Sequence, residues 1–228
     1  MESRGAPTIV DLSLPIRDHF RWRREIEHVQ SPEEGDIFQT SRMRLLCHAF
    51  THADAPLHFV GGGDDIADMP LDTWAGEAAV LDLSDVEANQ QIDASLLSER
   101  GGHLRPGDIA LLRTDWGRKV AVEDADYWQV APYVTRDGAE WLLSQECRCV
   151  GYDFPQDYPI RELVGGSRAP ESKEFVTHDV LLSRGVGMVE YLAGLDQIPG
   201  ERTFFVAAPL RLPEVDGSPV RALAIEWG

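Results

Sequence analysis

Short apolar runs separated by turn signals recur along the chain and predict strands. They cover residues 8–13, 78–83, 109–114, 149–153, 186–192, 203–208 and 221–227. Two segments carry helix signals instead: Asp93 is an N-cap with Gly101 at the helix end, and Thr135 caps a helix through about Gln145. Strands outnumber helices and the two alternate in the middle, which predicts an α/β fold with a substantial sheet. No repeat divides the 228 residues, so we expect a single domain, residues 1–228.

The composition is acidic and limits the partners of the protein. There are 39 acidic and 21 basic side chains, for a formal net charge of −18 at pH 7. Such a surface repels phosphate backbones and anionic membranes. The one basic cluster, residues 21–24, belongs to a charged segment over residues 17–34 and is interpreted as surface. We therefore expect a small-molecule partner, with no nucleic-acid and no membrane partner.

Targeting signals are absent from the pattern. The N-terminal residues include no apolar stretch of signal-peptide length, and no apolar run is long enough to cross a bilayer. The cysteines number three, and an odd number argues against a disulfide framework. These features predict a cytoplasmic protein.

Four polar side chains are concentrated in the segment H-A-F-T-H-A-D-A-P-L-H, which runs from His48 to His58. His48, His52, Asp54 and His58 lie at i, i+4, i+6 and i+10. On an extended chain every one of these even offsets points the same way, whereas a helix would scatter them. Pro56 also prevents a helix from continuing through the segment. We therefore expect an extended segment that turns and presents these four side chains to one side.

The residue types in this segment favour a metal site. Two imidazoles and one carboxylate, from His48, His52 and Asp54, form a set of three ligands for a catalytic Zn²⁺ or Mn²⁺ and leave a position for water. His58, beyond the proline, would lie just off the metal as a general acid or base. The alternative is an ordinary polar loop. Three of the seven histidines together with an aspartate in so short a segment favour the metal site.

His178 and Glu190 are a second pair of candidate ligands. Thr177 is interpreted as an N-cap, residues 180–184 as a short helix stopped by Gly185, and residues 186–192 as a strand. A continuous helix would separate His178 from Glu190 by about 18 Å, whereas a returning strand can bring Glu190 back beside the helix start. Alone the pair is a weak signal, because a histidine at a helix start and a glutamate in a strand are more often structural; a metal site that needs further ligands makes the pair a candidate.

The segment from His48 to His58 resembles the signature H-x-G-T-H-x-D-x-P-x-H of the cyclase family of metal-dependent hydrolases. That family includes bacterial kynurenine formamidases and isatin hydrolases. Other blocks are also similar: D-L-S-L-P-I from Asp11, G-D-I-A-L-L-R-T-D-W from Gly107, G-Y-D-F-P from Gly151 and D-G-S-P-V-R-A from Asp216. The resemblance extends over most of the chain.

The resemblance implies a single domain of the swivelling β/β/α type, with mixed sheets, flanking helices and assembly as a homodimer or homotetramer. It also implies one or two divalent ions, Zn²⁺ or Mn²⁺, with Asp54 bridging to the second ion where one is present. The implied metal ligands are His48, His52, Asp54, His178 and Glu190. His58 would be the catalytic acid/base.

Two departures from the family pattern concern the substrate pocket. Phe50 stands where the signature has glycine and puts a bulky ring beside the ligands. The segment after Pro15 is longer and more charged than in formamidases, where an aromatic residue contacts substrate. Either Trp22 or Phe20 could take that part. We therefore predict substrate-binding roles for Phe20, Trp22 and Phe50.

Together these features predict an amidohydrolase. A metal-activated water would attack a small amide, lactam or N-formyl amide, and His58 would pass a proton to the leaving nitrogen. The residues leave open a lactone hydrolase, or a ring-forming or dehydrating enzyme of natural-product metabolism. A non-catalytic protein that binds a metal or small ligand is an alternative of a different class.

Overall fold

The computed structural model describes residues 5–166 and 168–227. The strands of these residues are β1 (Thr8–Asp11), β2 (Glu25–Gln30), β3 (Thr40–Arg44), β4 (His52–Asp54), β5 (Ala75–Asp82), β6 (Gln91–Ile92), β7 (Ile109–Arg113), β8 (Tyr133–Val134), β9 (Cys149–Tyr152), β10 (Gly187–Glu190), β11 (Arg202–Val206), β12 (Gly217–Pro219) and β13 (Leu223–Glu226). The helices are α1 (Leu71–Trp74), α2 (Ala94–Arg100), α3 (Trp116–Lys119), α4 (Asp126–Gln129), α5 (Arg136–Ser144), α6 (Ile160–Gly165) and α7 (Val176–Val180). None of the helices in this part of the chain has the length and hydropathy needed to span a membrane.

One mixed sheet organises the molecule, with strands in the order β1-β13-β11-β5-β7-β9-β10-β4-β12. Its centre is parallel, because β5 pairs with β7, β7 with β9, and β9 with β10. Strand β9 is an apolar run with every residue buried, as expected where both faces of a parallel sheet are covered. The chain crosses between these strands through α2, α5 and α7. The predicted α/β fold with a mixed sheet is confirmed.

Antiparallel strands extend the sheet on both sides of this centre. On one side β11 joins β5 and carries β13 and then β1. On the other side β4 lies between β10 and β12 and is antiparallel to both. The short strand β4 comes from the histidine segment, so the fold places that segment inside the sheet.

Two of the three predicted cap residues, Asp93 and Thr135, begin helices as expected, whereas Thr177 lies inside α7, whose N-cap is Phe175. The side chain of Asp93 accepts a hydrogen bond from the backbone N–H of Leu96 at the start of α2, at 2.9 Å. The side chain of Thr135 accepts one from Gly138 N–H at the start of α5, at 3.3 Å. Both helices therefore begin at the residue after a side chain that satisfies a free N–H group.

Two local predictions differ from the structure. The extended conformation of the histidine segment is limited to β4, because Phe50 turns the chain before it and Pro56–His58 forms a 3₁₀ turn after it. The helix predicted over residues 180–184 instead begins at Val176 and ends at Val180, with a separate 3₁₀ turn at Leu182–Arg184. The carboxylate of Asp157 accepts the N–H of Thr177 and so supports the earlier start.

Strands β2 and β3 form a hairpin that was not predicted. We call residues 25–44 the exposed hairpin, because every residue of both strands is exposed. The sequence pattern indicated only a charged segment here, followed by loose alternation. The alternation of apolar and polar residues is limited to 25–27 and 42–44, which is too short to predict a strand.

Candidate metal centre

The alternation of β4 sets the first part of the site. His52 and Asp54 point to one face, and Ala53 between them points to the other face and packs in the core. Glu190 lies directly opposite His52 in the antiparallel pairing of β10 with β4, so both side chains share that face. His52 Nε2 is 3.2 Å from Asp54 Oδ1 and 3.7 Å from Glu190 Oε2. His52 and Glu190 are 138 positions apart in sequence, and the register of β4 and β10 brings them together.

His178 reaches the same point from α7. Its Nε2 is 3.8 Å from Asp54 Oδ2 and 3.7 Å from Glu190 Oε1. The glycine-interrupted turn after α7 returns the chain along β10. The structure therefore brings His178 and Glu190 together in the way the sequence suggested.

The rings of His52 and His178 are held in place by hydrogen bonds at Nδ1, the nitrogen that points away from the metal centre. His52 Nδ1 donates to the carbonyl oxygen of Phe50 at 2.7 Å. His178 Nδ1 donates to Asp157 Oδ2 at 2.6 Å, and Asp157 also accepts from both the N–H and the hydroxyl of Thr177. With Nδ1 occupied, each ring presents Nε2 to the centre, which is the usual arrangement of metal-binding histidines.

His48 and His58 lie on the other side of Asp54. His48 Nδ1 is 2.7 Å from Asp54 Oδ1, and its Nε2 is 2.8 Å from Asp216 Oδ2. His58 stacks on His48 with ring centroids 3.7 Å apart, and its Nδ1 is 3.3 Å from the same Asp216 oxygen. Burial lowers the pKa of His58, which favours a neutral imidazole. When Nδ1 donates to Asp216, Nε2 is free to accept a proton.

The described residues fit a divalent cation. Asp54 Oδ2 is buried and has no hydrogen-bond partner among them, although a buried carboxylate oxygen needs compensation. Ligand atoms fall into two groups that share Asp54: one also contains His52 and Glu190, and the other His48 and His58, with all atoms of a group within 4.8 Å of one another. Imidazole nitrogens and carboxylate oxygens are the donors that Zn²⁺ and Mn²⁺ accept.

Charge coupling across this centre shifts several pKa values. Burial raises the pKa of Asp54, but the adjacent imidazoles outweigh burial and hold it well below its usual range. Burial lowers the pKa of His48, but its contacts with Asp54 and Asp216 raise that pKa to about 9. The pKa of His178 is likewise raised to about 9, because Asp157 outweighs burial. In the absence of a cation the imidazoles of His48 and His178 therefore carry an additional proton, which binding of a metal ion would displace.

Three residues that orient the candidate ligands were missed by the sequence prediction. They are Asp157 behind His178, Asp216 beside His48 and His58, and Gln156, whose side-chain amide donates to Glu190. The resemblance covered Asp216 as part of a similar block, but nothing indicated its contact with the histidines. Asp157 and Gln156 lie next to the similar block that begins at Gly151, and no spacing marks them as functional.

All six residues predicted as ligands or as the proton carrier line one cavity of about 380 Å³. The rest of its lining includes Arg21, Tyr191 and an apolar wall formed by Phe59, Ile160, Leu163, Pro170 and Phe175. A cavity of this size that combines an apolar wall with polar groups suits a small organic ligand.

The three aromatic residues predicted to bind substrate are not among the lining residues of this cavity. Trp22 and Phe50 are buried and pack on each other with ring centroids 4.8 Å apart, and Trp22 also packs on Tyr191 of the lining. Phe20 is exposed and contacts Trp128. The structure therefore places them behind or beside the cavity, and their role in binding substrate stays a prediction.

Comparisons with known proteins identify the family and the fold of this chain. A family model described as "Putative cyclase" matches residues 10–156. Kynurenine formamidase of Bacillus cereus is 27% identical over 219 residues, which covers 94% of this chain and 95% of that protein. A solved structure described as a predicted metal-dependent hydrolase from Bacillus stearothermophilus has a TM-score of 0.71 and 27% identity, over 97% of this chain and 99% of that one. Isatin hydrolase A from Labrenzia aggregata, at 24% identity, has the same fold, with a TM-score of 0.78 over 98% of this chain and 95% of that one.

The chain belongs to the cyclase family, because the family model matches more than half of its length. It is an enzyme of the metal-dependent hydrolase class. The resemblance seen in the sequence is thereby confirmed, and so is the dependence on a divalent metal.

Proposed function

We propose that this hydrolase cleaves the carbon–nitrogen bond of a small amide, lactam or N-formyl amide. The observation that carries the proposal is the convergence of imidazoles and carboxylates on Asp54, whose buried Oδ2 lacks a partner among the described residues. This centre lies in a cavity of about 380 Å³, which is large enough for a small organic molecule. The similarity to a kynurenine formamidase over nearly the whole chain supports an amide as the bond that is cleaved.

The residues that would hold the cation are His48, His52, Asp54, His178 and Glu190. We propose Zn²⁺ or Mn²⁺, since the donor set suits both, with one or two ions sharing Asp54. When bound, the cation supplies positive charge that polarises the substrate carbonyl and lowers the pKa of an adjacent water. Gln156 and Asp157 keep Glu190 and His178 oriented toward it.

His58 would carry the proton in this reaction. Asp216 holds the ring through Nδ1, so Nε2 is the nitrogen that accepts a proton from the attacking water. The same Nε2 then donates that proton to the leaving nitrogen of the amide. The stacking of His58 on His48 keeps the ring beside the candidate ligands.

A substrate panel tests the proposed reaction. Purified protein loaded with Zn²⁺ or Mn²⁺ is assayed with N-formyl amides, lactams and lactones, before and after treatment with a chelator. We expect turnover of amides or lactams that the chelator abolishes and that one of the two ions restores. A metal-loaded protein that acts only on lactones, or on no member of the panel, contradicts the proposal.

The variant His58→Ala tests the role of His58 separately. Loss of the proton carrier should lower kcat by about 10²- to 10⁴-fold, while the metal content measured by elemental analysis stays that of the wild type. His103→Ala is the matched control, because His103 donates to the carbonyl of Val80 and does not line the cavity. Loss of metal from His58→Ala would make His58 a ligand, and full activity would remove it from the mechanism.

The other reactions considered for this site are not favoured. Lactone opening, ring closure and dehydration have no support from the similar Bacillus cereus protein, which is named for formamidase activity. A binding protein would need the ligands but not an imidazole held beside them by Asp216.

We also propose a single domain that assembles as a homodimer or homotetramer in the cytoplasm. The sheet contains both β1 and β13, the first and last strands of the described residues, which supports one domain. The exposed hairpin offers apolar side chains for assembly. The three cysteines are free, which is typical of proteins in reducing compartments.

A further inference from the structure

Arg21 lines the cavity that contains the metal centre. It has no role in the proposed metal binding or in the proposed proton transfer. It shares the cavity with the candidate metal ligands and the apolar wall. The sequence pattern had placed it in a charged surface segment. Its neighbours Arg23 and Arg24 do lie outside this cavity.

Packing of the flanking residues sets the position of Arg21. His19, Phe20 and Trp22 all contact the ring of Trp128, with centroid distances of 5.4 to 5.5 Å. The backbone N–H of Arg21 donates to His19 Nδ1 at 3.1 Å. The segment is therefore packed on both sides of Arg21, whose side chain lines the cavity.

A chain of contacts connects Arg21 with the metal centre. Its guanidinium carbon lies 5.6 Å from the centroid of Trp128, and Trp128 Nε1 donates to the hydroxyl of Tyr191 at 3.4 Å. The ring of Tyr191 stacks on His52 at 5.8 Å. Because Arg21 and the candidate metal-binding residues line the same cavity, one small molecule in that cavity can contact both.

The charge of Arg21 has no carboxylate partner within 4.0 Å in the described part of the chain, although acidic side chains outnumber basic ones 39 to 21. Nearby arginines do have such partners: Arg17 pairs with Glu123 and Arg24 with Asp18. A guanidinium that faces a cavity keeps N–H donors free for a carboxylate, which it can bind in a bidentate manner.

We propose that Arg21 binds a carboxylate of the substrate at a distance from the bond that is cleaved. This inference rests on the proposed amide hydrolysis and narrows its substrate class to anionic aryl or alkyl amides. The apolar wall would contact the hydrocarbon part, the metal centre would face the amide, and Arg21 would face the anionic group. The chain as a whole is negatively charged and repels anions. The positive charge of Arg21 in the cavity would therefore be what favours an anionic substrate.

A pair of substrates with the same scissile bond tests this assignment. Formanilide is neutral, and 2-, 3- and 4-formamidobenzoate carry an added carboxylate. We expect the wild type to favour at least one formamidobenzoate, and the ratio of its kcat/KM to that of formanilide should fall about 10- to 100-fold in Arg21→Met, the range for one charge-assisted hydrogen bond. Arg21→Lys should recover part of the preference. The control Arg23→Met, at a side chain that is 87% exposed, should keep the ratio. Equal losses for both substrate types would make Arg21 merely structural.

A binding measurement separates this inference from the proposed reaction. Calorimetry on the metal-loaded protein compares benzohydroxamate with 3- and 4-carboxybenzohydroxamate, which share one metal-binding group. A tighter affinity for a carboxylated probe that disappears in Arg21→Met supports the carboxylate site even if no amide is turned over. Absence of any preference in the wild type, or its persistence in Arg21→Met, overturns the assignment. Failure of amide turnover alone contradicts only the proposed reaction.

Discussion

Phe50 stands where the family signature has glycine, and its backbone lies in the left-handed region with φ of 57°. A side chain costs roughly 1 to 2 kcal/mol in that conformation, which glycine adopts freely. The ring is buried against Trp22, and this burial offsets the strain. The carbonyl of Phe50 still orients His52. The sequence revealed the substitution, but only the backbone angle shows why glycine is the family residue.

Gly217 approaches the metal centre closely and provides a test of the ligand geometry. A Cβ added there would lie 2.7 Å from His48 Cε1 and 2.8 Å from the carbonyl oxygen of Ala53. Because the backbone oxygen cannot move freely, we expect Gly217→Ala to displace the ring of His48. The affinity for Zn²⁺ should weaken by about 10- to 100-fold, the range seen when a residue that orients ligands is changed.

Competition with a chromophoric chelator measures that affinity. Gly117→Ala is the matched control, because an added Cβ at Gly117 meets nothing within 4 Å. An unchanged Zn²⁺ affinity in Gly217→Ala would show that His48 is not a ligand of the more tightly bound Zn²⁺ ion. Loss of affinity in both variants would indicate a general loss of folding instead.

At the scale of elements, the predictions succeeded where one local signal decides the structure. The helices α2 and α5 begin after the N-caps Asp93 and Thr135, and β7 and β9 are short apolar runs with turn residues around them. The exposed hairpin was not predicted, because none of its strand residues is buried and no clear apolar face marks its strands. The early start of α7 depends on Asp157, whose contact with His178 joins residues 21 positions apart. No local pattern encodes such a contact.

The candidate site likewise contains residues that the sequence could predict and residues that it could not. Even spacing and residue type brought out His52 and Asp54, and strand alternation explains why they converge. Asp216 joins His48 across 168 positions of sequence, and this meeting depends on the pairing of β12 with β4. Residues that bind a cation directly have a recognisable chemistry. Residues that orient them are ordinary aspartates and glutamines until the fold brings them together.

At the scale of the whole molecule, the exposed hairpin is the feature that an isolated chain does not explain. Two-stranded hairpins are marginally stable in water unless they pack against something. Ile26 lies directly opposite Met43 in the register of β2 and β3, so the two share one face. The opposite face carries Glu25 and Arg44, whose charged groups are 3.8 Å apart. In the proposed assembly, the exposed side chains of Ile26 and Met43 would be covered by a second copy of the chain.

The proposed assembly predicts how charge on that face affects it. Ile26→Asp and Met43→Asp each place a carboxylate on the apolar face, and burying it against a second copy would be costly. We therefore expect light scattering to find a dimer or tetramer for the wild type and a shift toward monomer for both variants. Leu71→Asp places the same carboxylate at an exposed leucine outside the hairpin, 74% exposed against 47% for Ile26 and 57% for Met43, and should keep the assembly. A monomeric wild type would contradict the assembly itself, whereas an unchanged oligomer in both hairpin variants would place the interface elsewhere.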